Sequence, residues 1–275
     1  MTTRGCPYNC DFCCVTDLFG KKIRHIPVEN VVRDIVEART KNFMFLDDNI
    51  IGHPKYAKEL FKAISPLKIN WVGQASISLV KDTELMELAA ASGCKSLFFG
   101  LESVSEDQLK QFRKAISDIG QLEQALQKIK KMGILIHASM IFGFDNDSKA
   151  VFNETVKFLK KNKISTVSFN VLTPYPGTKT YNDLKNEGRL LTANWKYYDH
   201  NTVVFQPKNM TPWELQLGKT TARKKFYNPS SVFSRLFGNL YSPRLYLALN
   251  YGHMKQSQVE MKRIGKLKSE FFDLL

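Results

Sequence analysis

Apolar positions along the first two thirds of the chain follow two alternating patterns. Val28, Val31, Val32, Ile35 and Val36 recur at the three- and four-residue spacing of one helix face. This predicts a helix from Pro27 to Lys41, with Pro27 suited to its first turn. Phe43-Met44-Phe45-Leu46 is instead a continuous apolar run, the pattern of a strand buried on both faces of a parallel sheet. A helix with Tyr56, Leu60, Phe61 and Ile64 on one face then ends at Pro66. A strand follows from Ile69 to Gly73, and a helix from Thr83 to Ser92 stops at Gly93. A strand from Ser96 to Gly100, helical stretches near 105–132 ended by Gly133, a strand from Ile134 to Phe142, a helix from Lys149 to Lys161 and a strand from Thr166 to Leu172 complete the series.

Strands alternating with amphipathic helices predict an α/β fold, with a parallel sheet and helices on its outer face. Five clear strands, preceded by a very short segment at Met1–Thr3, read as a partial (β/α)6 TIM-like barrel. Residues 1–190 read as this core barrel. Residues 191–275 lose the alternation and read as a mostly helical C-terminal extension, with helices from Met210 to Tyr227 and from Lys255 to Phe272. The sequence carries no internal repeat or low-complexity segment.

Composition narrows the class. Of 275 residues, 43% are hydrophobic and 24% charged, an ordinary globular balance that excludes a disordered chain. No apolar run reaches the roughly 18 residues needed to span a bilayer. The count of five cysteines is odd and no signal peptide precedes them, so a reducing cytoplasm fits best. The net charge is +14, and residues 207–275 supply +8 of it, from twelve Lys or Arg against four Asp or Glu. Such a tail suits nucleic acid, anionic lipid or an acidic partner, although a solvated helical surface is the plainer reading.

The candidate chemistry begins six residues into the chain. Arg4-Gly5-Cys6-Pro7-Tyr8-Asn9-Cys10-Asp11-Phe12-Cys13 spaces its thiols as C-x3-C-x2-C. Three thiolates can hold three irons of a [4Fe–4S] cluster, which ordinarily takes four, and so leave one iron open to another ligand. An open position separates a reactive metal site from a structural one. Two plainer alternatives remain. The thiols could bind zinc, with Cys14 or His25 as a fourth ligand, or they could be reduced and unliganded. Phe12 stands where it can pack beside a cluster, and Gly5 and Pro7 shape a tight loop. Cys14 reads as a bystander and Cys94 as a buried small hydrophobe.

The stretch from Thr2 to Cys13 resembles the cluster loop of the radical SAM enzymes, and is most similar to the branch that carries an N-terminal cobalamin-binding domain. In that branch the cobalamin domain lies upstream of the first barrel strand. Only Met1-Thr2-Thr3 precede the loop here, so the resemblance implies a chain truncated at its first strand and lacking that domain. Cys6, Cys10 and Cys13 are then the cluster ligands, with the unique iron left to S-adenosylmethionine (SAM).

Further motifs follow the strands in the family's order. Phe45-Leu46-Asp47-Asp48-Asn49 ends the second strand. Two carboxylates there can accept hydrogen bonds from an ammonium group, or simply form a turn or helix cap; the resemblance assigns Asp47 and Asp48 to the amino group of SAM. Gln74, after the third strand, is a candidate for cofactor or substrate, with a turn residue as the alternative. Glu102 and Ser103, in Gly100-Leu101-Glu102-Ser103, take the ribose-contacting position of the family, although Glu102 could instead cap the next helix with Ser105. Gly143 lies in the family's glycine motif beside the adenine, where a glycine lets backbone approach a ligand closely. Phe12 completes the cofactor-binding set. The phrase Leu172-Thr173-Pro174-Tyr175-Pro176-Gly177-Thr178 ends the sixth strand and resembles one common in the cobalamin-linked branch, while Trp195 through Pro212 resembles the C-terminal extension of a subset of those proteins, some of which modify polycyclic lipids.

The resemblance implies reductive cleavage of SAM at a [4Fe–4S] cluster to start radical chemistry on an unactivated C–H bond. C-methylation of a lipid-like or other small-molecule substrate is the leading outcome, with cobalamin as methyl carrier and an electron donor such as flavodoxin or ferredoxin. Aromatic and basic residues from Phe226 to Tyr251 suggest contact at the periphery of a membrane, with core packing as the alternative. A radical SAM methylthiotransferase acting on tRNA is a second reading, but the helical tail lacks the small β-barrel RNA module of those enzymes, which disfavours nucleic acid. An inactive or zinc-binding remnant is the third.

Overall fold

The computed structural model describes residues 1–105, 108–109, 116 and 118–274. The architecture is α/β, as the alternating pattern predicts. β3 (Asn42–Met44), β4 (Asn70–Ala75), β5 (Cys94–Glu102), β6 (Leu135–Phe142) and β7 (Thr166–Val171) form a five-stranded sheet in chain order, the arrangement of a parallel partial barrel. Between them come α3 (Pro54–Ile64), α4 (Thr83–Ala91), α5 (Ile119–Lys131) and α6 (Val151–Lys161). Part of the helical stretch expected over 105–132 falls at 106–107, 110–115 and 117, outside the described residues.

The first segment differs from the expectation. β1 (Thr3–Arg4) does not join the main sheet but pairs antiparallel with β2 (Arg24–His25), and Thr3 sits opposite His25. β2 follows α1 (Val15–Phe19) and precedes α2 (Val28–Glu37). A two-residue strand has no hydrophobic period of its own, so its partner is chosen by long-range contacts rather than by local pattern.

The chain divides into two compact units by internal contacts. The first comprises residues 1–10, 15–101 and 105–138. Its core centres on Trp71 of β4, whose ring stacks on Phe61 of α3 at 5.1 Å and meets Phe45 edge-on at 5.4 Å. The indole Nε1 donates to Ser92 Oγ at 3.1 Å, so the one polar atom of this buried ring has a partner. Caps set the starts of the helices. His53 Nδ1 accepts from the Tyr56 amide ahead of α3, which has Pro54 at its first position, and Asp82 Oδ1 accepts from the Leu85 amide ahead of α4. Cys94 lies inside β5 rather than before it; it is buried, and burial pushes its thiol pKa up.

The second unit comprises residues 11–14, 102–104 and 139–275. Phe142 of β6 and Phe169 of β7 stack at 5.8 Å, and Phe226 meets Phe169 edge-on at 5.9 Å. Phe226 ends α8 (Pro212–Phe226), which starts with a reciprocal cap between Thr211 and Glu214. A short α7 (Lys179–Asn186), α9 (Pro229–Leu236) and a 28-residue α10 (Pro243–Glu270) complete the unit. The sequence pattern predicts α8 closely, starts α10 twelve residues late and misses α9. Arg235 of α9 is fully buried; it donates to the carbonyls of Ile164, Ser165 and Phe226, and its guanidinium lies 3.7 Å from the Phe226 ring centroid. A buried cation is tolerable when every donor finds an oxygen, and this one ties α9 to the residues entering β7.

Candidate cofactor site

The loop carrying the three cysteines is shaped by backbone geometry before any side chain is considered. Gly5 has φ +97, and a Cβ at that position would sit 2.9 Å from the Lys22 carbonyl oxygen. Only glycine combines that conformation with that approach. The Tyr8 hydroxyl donates to Ser78 Oγ at 3.0 Å, and Thr16 Oγ1 donates to the Tyr8 carbonyl at 2.8 Å. Cys6, Cys10, Cys13 and Cys14 are half-buried, and none is in a disulfide. Among the described residues, no three His, Cys, Asp or Glu side chains converge in the manner of a single-ion site. His25, a candidate fourth ligand in the zinc reading, stacks on Tyr56 at 4.4 Å.

The end of β3 meets this loop within the first unit. Asp47 is buried, and its carboxylate accepts from Thr2 N at 2.9 Å, from the Thr2 and Thr3 hydroxyls at 2.7 Å each, and from Thr3 N. Oδ1 takes all four of these donors, and Oδ2 shares the Thr2 amide at 3.0 Å, so the carboxylate of Asp47 holds the N-terminal segment. Asp48 is different. The Gly5 amide, one residue before Cys6, is its backbone partner, yet its Oδ2 is buried and accepts no hydrogen bond. Burial raises the Asp48 pKa; the Gly5 amide opposes this, and the neighbouring Asp47 charge adds to it. A buried, unsatisfied carboxylate oxygen is costly unless a donor arrives. Asn49 Oδ1 accepts from Ser76 N at 3.1 Å, which binds the end of β3 to the end of β4. Gln74 keeps its side chain exposed, while its carbonyl accepts from Ile50 N at 2.9 Å.

The second unit holds the other candidates. The Phe12 ring meets Phe144 edge-on at 6.1 Å. Thr180 N and Thr180 Oγ1 both donate to the Asp11 carbonyl, at 2.9 and 3.0 Å, and so pin the loop between its second and third cysteines. Glu102 and Ser103 are buried, and Glu102 has φ +66. A non-glycine residue in that region carries strain, which recurs at ligand sites. Gly143 has φ +105, and a Cβ there would lie 2.8 Å from Leu215 Cδ2 and 2.9 Å from Phe205 Cζ. Its lack of a side chain is therefore demanded by protein packing at that position.

Asp147 was not singled out in the sequence. It is buried, and its Oδ2 accepts from Gly143 N at 2.8 Å and from Phe144 N at 3.1 Å; burial raises its pKa to about 6, against the pull of those two amides. An Asp four residues after a strand-end glycine is the available signal, because Asp closes such turns onto backbone amides. Tyr175 donates to the Tyr198 carbonyl at 3.1 Å and lies 3.0 Å from His200 Nε2.

The donor chemistry fits an iron–sulfur cluster, which thiolates hold, and the Asp48 oxygen fits an amine-bearing ligand. Residues 1–178 match the family described as the Radical SAM superfamily. The chain belongs to the Radical SAM superfamily. It is 31% identical over 244 residues to bacteriochlorophyllide d C-12(1)-methyltransferase of Chlorobaculum tepidum, across 86% of this chain and 53% of that protein. To hopanoid C-2 methylase of Rhodopseudomonas palustris it is 25% identical over 255 residues, across 88% and 47%. A solved radical SAM methyltransferase, TsrM from Kitasatospora setae with cobalamin and a [4Fe–4S] cluster bound, aligns with a TM-score of 0.66 over 94% of this chain and 60% of that one. Its identity is 16%, so that likeness is one of fold. This radical SAM chain spans about half the length of the curated relatives it matches. Radical SAM enzymes use SAM at a [4Fe–4S] cluster. No helix among the described residues is long and apolar enough to cross a membrane.

Proposed function

We propose that this chain is the catalytic core of a cobalamin-dependent radical SAM methyltransferase acting on a small, lipid-like molecule. Residues 1–190 serve as the core and 191–275 as the extension. Cys6, Cys10 and Cys13 hold the cluster. Asp48 takes the ammonium group of SAM, Glu102 and Ser103 its ribose, and Phe12 shields the cluster from solvent. When bound, the cluster and SAM supply one-electron chemistry that activates a C–H bond, and cobalamin supplies the methyl group. A flavodoxin- or ferredoxin-like protein supplies the electron.

The observation that carries this reading is the buried Asp48 Oδ2 without a partner, next to the amide that precedes Cys6. It is an unfilled acceptor for a positively charged donor, linked through the Gly5 amide to the residue before the first thiol. Support for methylation comes from the named relatives, which act on bacteriochlorophyllide and hopanoid carbon positions.

The test is electron paramagnetic resonance of the anaerobically reconstituted, dithionite-reduced chain, with and without SAM. A reduced-cluster spectrum that shifts on adding SAM is expected. A cluster indifferent to SAM, or zinc in place of iron, would sink the proposal.

A further inference from the structure

The hairpin of α9 and α10 presents apolar side chains outward because its polar ones are engaged inside. Besides its bonds to Ile164, Ser165 and Phe226, Arg235 donates to Asn250 Oδ1 at 3.1 Å; Asn250 Nδ2 donates to the Ser165 carbonyl at 3.1 Å. The Tyr246 hydroxyl donates to the Val232 carbonyl at 2.7 Å. These buried bonds fix the inner face of each helix. The outward sides of the helices and the turn between them expose Phe233 (64%), Phe237 (63%), Leu240 (59%), Leu247 (49%) and Tyr251 (59%). The rings of Phe233 and Phe237 meet edge-on at 5.3 Å, and Leu247 and Tyr251 lie one turn apart on α10. A single exposed leucine is ordinary on a soluble surface, but five large apolar side chains on one hairpin call for a partner.

The charge of the same segment indicates which partner. From Leu215 to Val259 the chain has no Asp or Glu, and it carries seven Lys or Arg. Lys219, Arg223 and Arg235 are buried, while Arg244 and Lys255 are exposed on α10. Lys255 Nζ lies 4.5 Å from the ring centroid of the exposed Tyr251, so a positive charge borders the apolar ridge directly.

We infer that this face docks on an anionic lipid bilayer, with Phe233, Phe237, Leu240, Leu247 and Tyr251 at the headgroup boundary and Arg244 and Lys255 on the headgroups. Apolar side chains bordered by cations, with no acid among them, match such a surface in polarity and sign. A second copy of the chain fits less well, because a self-complementary contact would set these cations against their own equivalents with no acid to receive them. Single-stranded nucleic acid recognition relies on stacking against aromatic rings, which Leu240 and Leu247 cannot provide. The inference is independent of the catalytic proposal, because vesicle binding requires neither cluster nor SAM.

The test is co-sedimentation of the full chain with vesicles of phosphatidylcholine alone or mixed with phosphatidylglycerol. The chain is expected to pellet with the phosphatidylglycerol vesicles only, and less as salt is added. Replacing Phe233→Ser together with Phe237→Ser should weaken binding about tenfold or more while leaving circular dichroism unchanged, because both side chains are already exposed. A second variant, Arg244→Gln with Lys255→Gln, keeps the ridge and should lose the preference for phosphatidylglycerol. Absence of pelleting, or pelleting indifferent to both variants, overturns the inference. So does a homodimer in sedimentation velocity, or retention of tRNA, that the serine variant abolishes.

Discussion

Asp47 and Asp48 are chain neighbours with different surroundings: the carboxylate of Asp47 accepts from the amides and hydroxyls of Thr2 and Thr3, while Asp48 keeps a buried Oδ2 with no hydrogen-bond partner. The two substitutions at this pair should therefore separate. Asp47→Asn removes a charge that several donors share. It is expected to destabilise the N-terminal segment by about 2–4 kcal/mol. Hydrogen exchange at Ile26, whose amide donates to the Thr2 carbonyl, should accelerate. Unchanged protection there would show that Asp47 does not hold the segment.

Asp48→Asn should leave the stability of the ligand-free protein within about 1 kcal/mol, because the charge it removes is already poorly solvated. Affinity for SAM should fall roughly tenfold to hundredfold, the usual range for one charge-assisted hydrogen bond. Calorimetric titration of the reconstituted protein decides this, and equal affinity in the variant would remove Asp48 from the site.

Cys10→Ala takes one thiolate from the loop. Iron bound after anaerobic reconstitution should drop to near zero, with the helical content of the protein unchanged. Retained iron would refute the assignment of Cys10 as a ligand.

Gly143→Ala places a methyl group against Leu215 and Phe205 at a φ of +105. Backbone strain and overpacking together predict a loss of about 2–4 kcal/mol in a urea titration. A neutral effect would mean that the Phe205 ring yields without cost.

Stability against pH should change in opposite directions at two sites. Burial raises the Asp147 pKa to about 6, so the folded state holds that proton more tightly than the unfolded chain does. The stability this contributes is present below about 4 and is lost as pH rises through about 6. His253 is the reverse case. Burial, then the Arg223 and Arg235 charges, lower its pKa to about 4, so its contribution is lost as pH falls from the ordinary histidine range towards that value. Relative to the unaltered protein, Asp147→Asn should gain stability as pH rises from 4 to 6, by about 2–3 kcal/mol at most. His253→Gln should gain as pH falls across the same window. Parallel profiles for variant and parent would contradict the corresponding burial.

The order of strands and helices was legible in the chain because hydrophobic period is a local property. The continuous run at Phe43–Leu46 and the stripe of Tyr56, Leu60, Phe61 and Ile64 mark β3 and α3 within a few residues. The three cysteines were legible for the same reason, since a loop of eight residues places them together under any fold. Helix α9 escaped notice. It is short, and its buried face consists of Ser231, Val232 and Arg235, of which Arg235 is buried only because the carbonyls of Ile164 and Ser165, about 70 positions away in sequence, reach it.

What the amino-acid sequence by itself determined is the βα alternation, the thiol-bearing loop and the excess of positive charge in the last quarter. Only the tertiary structure decided that β1 pairs with β2 and that Phe205 and Leu215 fill the space a side chain at Gly143 would need. It also decided that, of two adjacent carboxylates, Asp47 engages Thr2 and Thr3 while Asp48 keeps one buried oxygen without a partner. The physical reason is the same in each case. Periodicity and spacing depend on neighbours along the chain, whereas the satisfaction of a buried polar atom depends on which distant donors the fold delivers to it.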